Sequence, residues 1–178
     1  MSLIKEKELN TFTALKSAFS YRNKLESPRL IKVVISVGVG KVAKEKNKLA
    51  VVEDRLARIT GQKPAPRGAK KSIATFKTRQ GDIVGYQVTL RGARMYDFLD
   101  KLVHVALPRT RDFRGLSRDA FDDMGNYTVG IREHTIFPET SDEELVNVFG
   151  MAITVVTSTN NKDEARAFLE HLGFPLKK

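Results

Sequence analysis

Residues 61–94 read GQKPAPRGAKKSIATFKTRQGDIVGYQVTLRGAR, and their pattern decides the fold. The last third alternates. Val84, Tyr86, Val88 and Leu90 fall on one side of an extended chain, and Ile83, Gly85, Gln87, Thr89 and Arg91 on the other. A two-residue period predicts a strand over Asp82–Arg91 with one buried face. Upstream, Pro64 and Pro66 cannot donate to a central ladder, so Gln62–Arg67 reads as a short edge strand. Gly68–Gly81 between them reads as a long exposed loop with a little extended structure. The stretch carries eight basic residues, Lys63, Arg67, Lys70, Lys71, Lys77, Arg79, Arg91 and Arg94, against one acid, Asp82. A chain that concentrates cations this way and has no enzyme signature is most simply a polyanion binder.

Working outward, Leu9, Phe12, Leu15 and Phe19 recur near helical spacing and predict an amphipathic helix over residues 3–20. Arg29–Val37 alternates again. Ile31, Val33, Ile35 and Val37 make an apolar face, and Leu30, Lys32, Val34 and Ser36 a mixed one. Leu49, Val52, Leu56 and Ile59 mark a second helix that Gly61 suits as a left-handed cap. Met95, Phe98, Leu99, Leu102, Val103 and Ala106 mark a third, closed by Pro108. Tyr127–Phe137 and Gly150–Thr159 read as two more strands. Ser141 with Glu144 predicts a capping box for a short helix. Asn161 with Glu164 predicts the same for the last helix, which buries Ala165, Phe168, Leu169 and Leu172.

No repeat, linker or low-complexity run interrupts the 178 residues. The predicted architecture is α+β, a single domain over residues 1–178. One mostly antiparallel sheet carries helices on one face and leaves the other open, and a basic loop protrudes at about 68–82. Lys32 and Ser36 of the first strand, with Gln87, Thr89 and Arg91 of the later one, would point out of the open face. Hydroxyl, amide and cationic groups there suit ribose and phosphate oxygens.

Charge sharpens this reading. The net charge is +10 and it is uneven. Residues 1–60 hold 13 basic and 6 acidic groups, residues 61–118 hold 13 and 4, and residues 119–178 hold 5 and 11. An even solubility charge would mix the signs, so the asymmetry favours a directed phosphate-binding face. No apolar run approaches the roughly 20 residues of a membrane helix. MSLIKEKELN lacks the order of a signal peptide, and the absence of cysteine fits a reducing cytoplasm and removes thiolate metal sites.

Other chemistries fare poorly. GVGK at 38–41 has Ile35 where a phosphate-binding loop needs glycine, and Val42 where it needs Ser or Thr. His104, His134 and His171 show no ligand spacing, so no metal or other cofactor is expected. Asp142, Glu143 and Glu144 sit in a predicted first helical turn, where the helix dipole favours acids. Asp122 and Asp123 adjoin Gly125-Asn126 and read as turn residues. No catalytic residue is identified, which leaves an RNA-acting enzyme or a generic nucleic-acid module on the same face as the alternatives. Lys70, Lys71, Lys77 and Arg79 form a basic loop around Phe76, for which stacking on a base and packing in the core are both open. Around Arg109, Arg111 and Arg114, Asp112 is placed to pair with an arginine, and that loop reads as structural.

Several motifs resemble the bacterial large-subunit ribosomal protein L-five family. They are SVGVG at 36–40, TGQKP at 60–64, AKKSIATFKTRQG at 69–81, VTLRG at 88–92, LPRTRDFRGLS at 107–117, GNYTVGIREHTIFPE at 125–139 and FPLKK at 174–178. They span nearly the whole chain in the family's order. The resemblance implies a non-enzymatic cytoplasmic component of the ribosome, monomeric outside it. It implies binding to 5S rRNA, which such proteins attach to the central protuberance, and contact with the large rRNA. It also implies that a protruding loop meets the elbow of P-site tRNA and joins a bridge to small-subunit protein S-thirteen. By similarity the central 5S contacts fall on Ser36, Gln62, Thr89 and Arg91, with Lys32 and Lys63 as supporting phosphate contacts. The tRNA-facing loop falls on Lys70–Arg79, including Lys71, Ser72, Phe76 and Lys77. The family usually has asparagine where this chain has Ser36. One hydroxyl cannot reproduce an amide's paired groups, so a bridging water is the natural substitute there.

Overall fold

The computed structural model describes residues 2–40, 45–140 and 148–177. The elements are α1 (Leu3–Leu9), α2 (Thr11–Phe19), β1 (Leu30–Gly38), α3 (Lys46–Thr60), β2 (Ala65–Gly68), β3 (Ile83–Leu90), α4 (Ala93–Lys101), β4 (Tyr127–Ile131), β5 (Met151–Thr157) and α5 (Lys162–Leu172). The five strands make one antiparallel sheet in the order β2-β3-β1-β5-β4. The architecture is α+β, as the alternating strands and striped helices require. The chain falls into two compact units, residues 1–33, 90–129 and 154–178, and residues 34–89 and 130–153.

Every long strand is two-faced. Val33, Ile35 and Val37 of β1 are buried, as are Tyr86, Val88 and Leu90 of β3, and Tyr127, Val129 and Ile131 of β4. Met151, Ile153, Val155 and Thr157 of β5 follow the same rule. The intervening residues are half-buried or exposed. One departure occurs at the entrance to β1. Leu30 turns inward and its N–H is taken by Glu8 Oε1 at 3.0 Å, so Ile31 is left outside at 47% exposure. The apolar face of β1 therefore begins at Val33.

In the first unit, the stripe expected on residues 3–20 is corrected. The segment is two helices that meet at Asn10, and Leu9 is 53% exposed. Ile4 and Thr11 are the buried positions instead. Polar ties hold this hairpin. Asp100 Oδ1 accepts the Ile4 N–H at 3.0 Å, and Lys7 Nζ donates to the Leu172 carbonyl at 3.1 Å, at the C-terminal end of α5. The third predicted helix is found as α4 continued by a wider π turn, Leu102–Ala106, whose Leu107 N–H reaches Leu102 O at 2.9 Å. The wider turn keeps Leu102, Val103, Ala106 and Leu107 buried before Pro108 ends the run. Helix α5 buries Ala165, Phe168, Leu169 and Leu172, and Gly173 closes it at φ +101°. Its N-cap is Asn161, which accepts from Asp163 N. No capping box forms with Glu164, because that carboxylate accepts from the hydroxyls of Tyr21 and Thr159 instead.

In the second unit, Leu49, Val52, Leu56 and Ile59 of α3 are buried and Gly61 caps it at φ +65°. β2 is the edge strand, paired antiparallel with β3 from Ala65↔Gln87 to Gly68↔Ile83, with an irregular step at Arg67/Gly68. An added Cβ on Gly85 would lie 2.9 Å from the Val37 carbonyl, so β3 needs glycine to lie this close to β1. The long strand expected over Tyr127–Phe137 is shorter. It stops at Ile131, and short helical turns follow at His134–Ile136 and Pro138–Thr140. His134 turns the chain: its N–H bonds Phe149 O at 3.1 Å, its ring stacks on Phe149 at 4.2 Å, and its carbonyl accepts from the Thr140 hydroxyl at 3.0 Å. The Ser141–Glu144 capping box and the acids at 142–144 lie outside the described residues.

Burial sets the stability ranking. Phe168→Ala removes a fully buried ring and should destabilise the protein by about 3–5 kcal/mol. Leu9→Ala, despite its place in the predicted stripe, should stay within about 0.5 kcal/mol of the parent. Urea unfolding midpoints of the two variants check both. Equal losses would contradict the two-helix packing.

Candidate nucleic-acid interface

The strand period places the predicted contacts on the solvent-reached side. Ser36 on β1 and Thr89 on β3 are half-exposed, in the second unit. Lys32 on β1 is half-exposed and Arg91, one residue past the end of β3, is exposed, in the first unit. β1 and β3 are neighbours in the sheet. Among the described residues, these four side chains have no hydrogen-bond or ion-pair partner. Elsewhere an outward hydroxyl pair is satisfied internally: Thr128 on β4 and Thr154 on β5 bond each other at 3.0 Å. Two cations and two hydroxyls left free beside solvent keep their full capacity for an external anion.

Gln62 and Lys63 follow the cap of α3. The Gln62 backbone is fixed by the Thr60 hydroxyl, which donates to the Gln62 carbonyl at 3.0 Å, and the Gln62 side chain remains free among the described residues. Lys63 is less free. Its ammonium lies 3.7 Å from Glu53, with the lysine side chain 86% exposed. An exposed pair at this distance holds the lysine by less than about 1 kcal/mol and can exchange for a phosphate. An open groove of about 650 Å³ beside it is lined by Glu53 and Asp54 as well as Lys63, so its floor opposes an anion.

The loop expected at 68–82 is a hairpin extension. Ala69 N–H bonds Asp82 O at 2.8 Å, and Ile73 and Thr78 exchange bonds at 3.1 and 3.3 Å. Ser72 serves the loop itself, since its hydroxyl accepts the Gln80 N–H at 2.9 Å. Lys77 turns the tip at φ +50°. Phe76 is 71% exposed, which decides its two readings in favour of a surface ring. Lys70, Lys71, Lys77 and Arg79 are exposed, and among the described residues no carboxylate pairs with them.

The remaining candidates take structural places. Val39 N–H bonds Val84 O at 2.9 Å, so the start of GVGK continues strand pairing; Lys41 lies outside the described residues. Among the described residues no His, Asp and Glu cluster could hold a metal. His134 is buried with Arg55 Nη1 3.2 Å from its Nε2, His171 bonds the Lys7 carbonyl at 2.8 Å, and His104 lies 3.9 Å from Asp100. Asp122 is a turn residue as expected. Burial opposes its charge, but bonds from Asn126 side chain and backbone and from the Met124 N–H hold its carboxyl below the usual range. No helix among the described residues is long and apolar enough to cross a membrane.

One expectation fails in the arginine loop. Asp112 pairs with none of Arg109, Arg111 and Arg114 among the described residues; it sits exposed at φ +51°. The signal was in PRTRDFRGL, whose three cations outnumber one acid.

Residues 23–79 match the family profile described as ribosomal protein L5, and residues 83–176 match the profile for the C-terminal part of the same family. A protein of Rubrobacter xylanophilus is 51% identical over 164 residues, 92% of this chain and 91% of its own length. One of Streptomyces griseus is 50% identical over 163 residues, 92% and 88% of the two chains, and one of Macrococcus caseolyticus is 46% identical over 179 residues, the whole of both. All three are called large ribosomal subunit protein uL5, the name of a structural component and not of an enzyme. With both halves matched and the identity carried end to end, the chain belongs to the ribosomal protein L5 family.

Proposed function

We propose that this protein is a non-catalytic constituent of the large ribosomal subunit that seats 5S rRNA on the open side of its sheet. In this reading it attaches that RNA to the central protuberance, touches the large-subunit rRNA, and works in the cytoplasm. The observation that carries the proposal is the pair of unpartnered hydroxyls, Ser36 and Thr89, on the solvent side of adjacent strands in the second unit; Lys32 and Arg91 of the first unit are likewise unpartnered among the described residues. Folded RNA is met mainly through its phosphates and 2′-hydroxyls, which need cations and short polar groups in this proportion. Arg91 supplies a planar fork for a phosphate, and Thr89 a hydroxyl for a ribose. Ser36 reaches its RNA partner directly with one bond or through water.

The hairpin at 68–82 has a different task. An exposed ring among unpaired cations suits the elbow of a P-site tRNA, where bases stack at the surface. The same projection serves a bridge to small-subunit protein S-thirteen.

Two outcomes test the division of labour. Arg91→Ala should weaken 5S rRNA binding by roughly 1–3 kcal/mol and flatten its salt dependence by about one phosphate. An unchanged constant in filter binding would refute the sheet-face seat. Replacing Lys70, Lys71, Lys77 and Arg79 together by Gln should leave 5S affinity within about twofold, since those cations lie outside the proposed seat, while impairing the joining of subunits. Loss of 5S binding equal to that of Arg91→Ala would instead put the hairpin in the primary site.

A further inference from the structure

We infer that the loop 108–117 is a second RNA-backbone contact, made by Arg109, Arg111 and Arg114. The inference rests on the RNA-binding role proposed above and adds a surface to it. All three arginines are exposed. None has an ion-pair or hydrogen-bond partner among the described residues, although Asp112 lies between them in sequence. Three guanidinium groups within six residues repel one another and favour an external anion that can bridge them.

The loop is held from beneath. Thr110 N–H bonds Leu107 O at 3.1 Å, and Leu116 N–H bonds Pro175 O at 2.8 Å. The Lys177 N–H returns to Leu116 O at 2.9 Å, so the C-terminal residues clamp the base of the loop. Gly115 sits at φ +92°, and a Cβ there would lie 3.2 Å from both Lys177 N and Pro175 O. The clamp admits glycine and fixes where Arg114 emerges. It also brings exposed Lys177 beside the loop. A loop anchored at both ends that presents forked cations without counter-charges loses less entropy on meeting phosphate than a free one.

Arg118 provides an internal contrast. It lies just beyond the clamp and is exposed, but its Nη2 bonds Glu170 Oε1 at 3.2 Å. A basic residue with a carboxylate in place is committed to the protein. The three loop arginines are not, and they select the phosphodiester backbone of structured RNA without reading sequence.

The test uses full-length protein with two probes, purified 5S rRNA and an A-form RNA duplex of about 20 base pairs, titrated at several salt concentrations. Arg109, Arg111 and Arg114 are replaced together by Gln, with Arg118→Gln and Arg91→Ala as comparators. The triple variant should bind the duplex about 10- to 100-fold more weakly at low salt, with a slope of log affinity against log salt shallower by two to three. Arg118→Gln should change both by less than about twofold. Thermal unfolding should be unaltered, since the removed groups make no bond within the protein; should the triple variant fail to fold, Arg111→Glu alone carries the comparison. If Arg91→Ala weakens 5S binding while the triple variant keeps parental duplex affinity and slope, this inference is overturned and the sheet-face seat stands. If parental protein binds neither probe, both are overturned.

Discussion

A β-strand exposes successive side chains to opposite sides, and this two-residue period is the constraint on which the molecule depends. Val33, Ile35 and Val37 are drawn inward by the cost of leaving them in water, at roughly 1.5–3 kcal/mol for each. Once they are placed, Lys32, Val34 and Ser36 have no choice of side. The same holds for Tyr86, Val88 and Leu90 against Gln87 and Thr89. A slip of one residue would bury Lys32 and Ser36 and expose Val33, Ile35 and Val37, so hydrophobic burial itself fixes the polar face in register. The glycine at 85, lying against the Val37 carbonyl, keeps β3 close to β1 at that point.

That surface is useful because it is left unsatisfied. Some cations elsewhere are committed to the protein: Arg58 bonds Asp54 at 2.8 Å, Arg118 bonds Glu170, and Lys7 caps α5. Free cations beside water cost little, since solvent screens them, and they gain most from a partner that brings several phosphates at once. The uneven charge of the chain thus has a structural counterpart. Several carboxylates tie helices and turns, while the cations of β1, the end of β3, the hairpin and the arginine loop have no such tie among the described residues.

Much of this was legible in the residues, and the exceptions have physical causes. The helix at 46–60 and the last helix could be read from spacing alone, because each buries an uninterrupted stripe. The strands at 30–38 and 83–90 could be read too, although their buried faces begin only at Val33, after Leu30 turns in and Ile31 out, and at Tyr86. The N-terminal stripe misled: Leu9, Phe12, Leu15 and Phe19 have helical spacing, but polar ties from Lys7 and Asp100 set the packing, and those involve residues distant in sequence. Tyr127–Phe137 has the composition of a strand throughout, yet pairing stops where His134 finds Phe149, a contact no local pattern encodes. Glu164 has the spacing of a capping residue but is claimed by Tyr21 and Thr159. Exposure of Phe76 could not be read, since an aromatic in a loop can pack or project with the same neighbours in sequence. The freedom of Arg109, Arg111 and Arg114 was hidden by Asp112, whose left-handed backbone only coordinates reveal.

Methyl-resolved NMR of the protein titrated with 5S rRNA tests the central claim most directly. The methyl groups of Val34 and Thr89, which face outward, should shift and broaden as RNA is added. Those of Val33, Ile35, Val37 and Val88, one residue away along the same strands, should hold their positions. Shifts of equal size on both sides of the strands, or shifts confined to Leu9 and Leu15 on the N-terminal helices, would contradict an RNA seat on the open face.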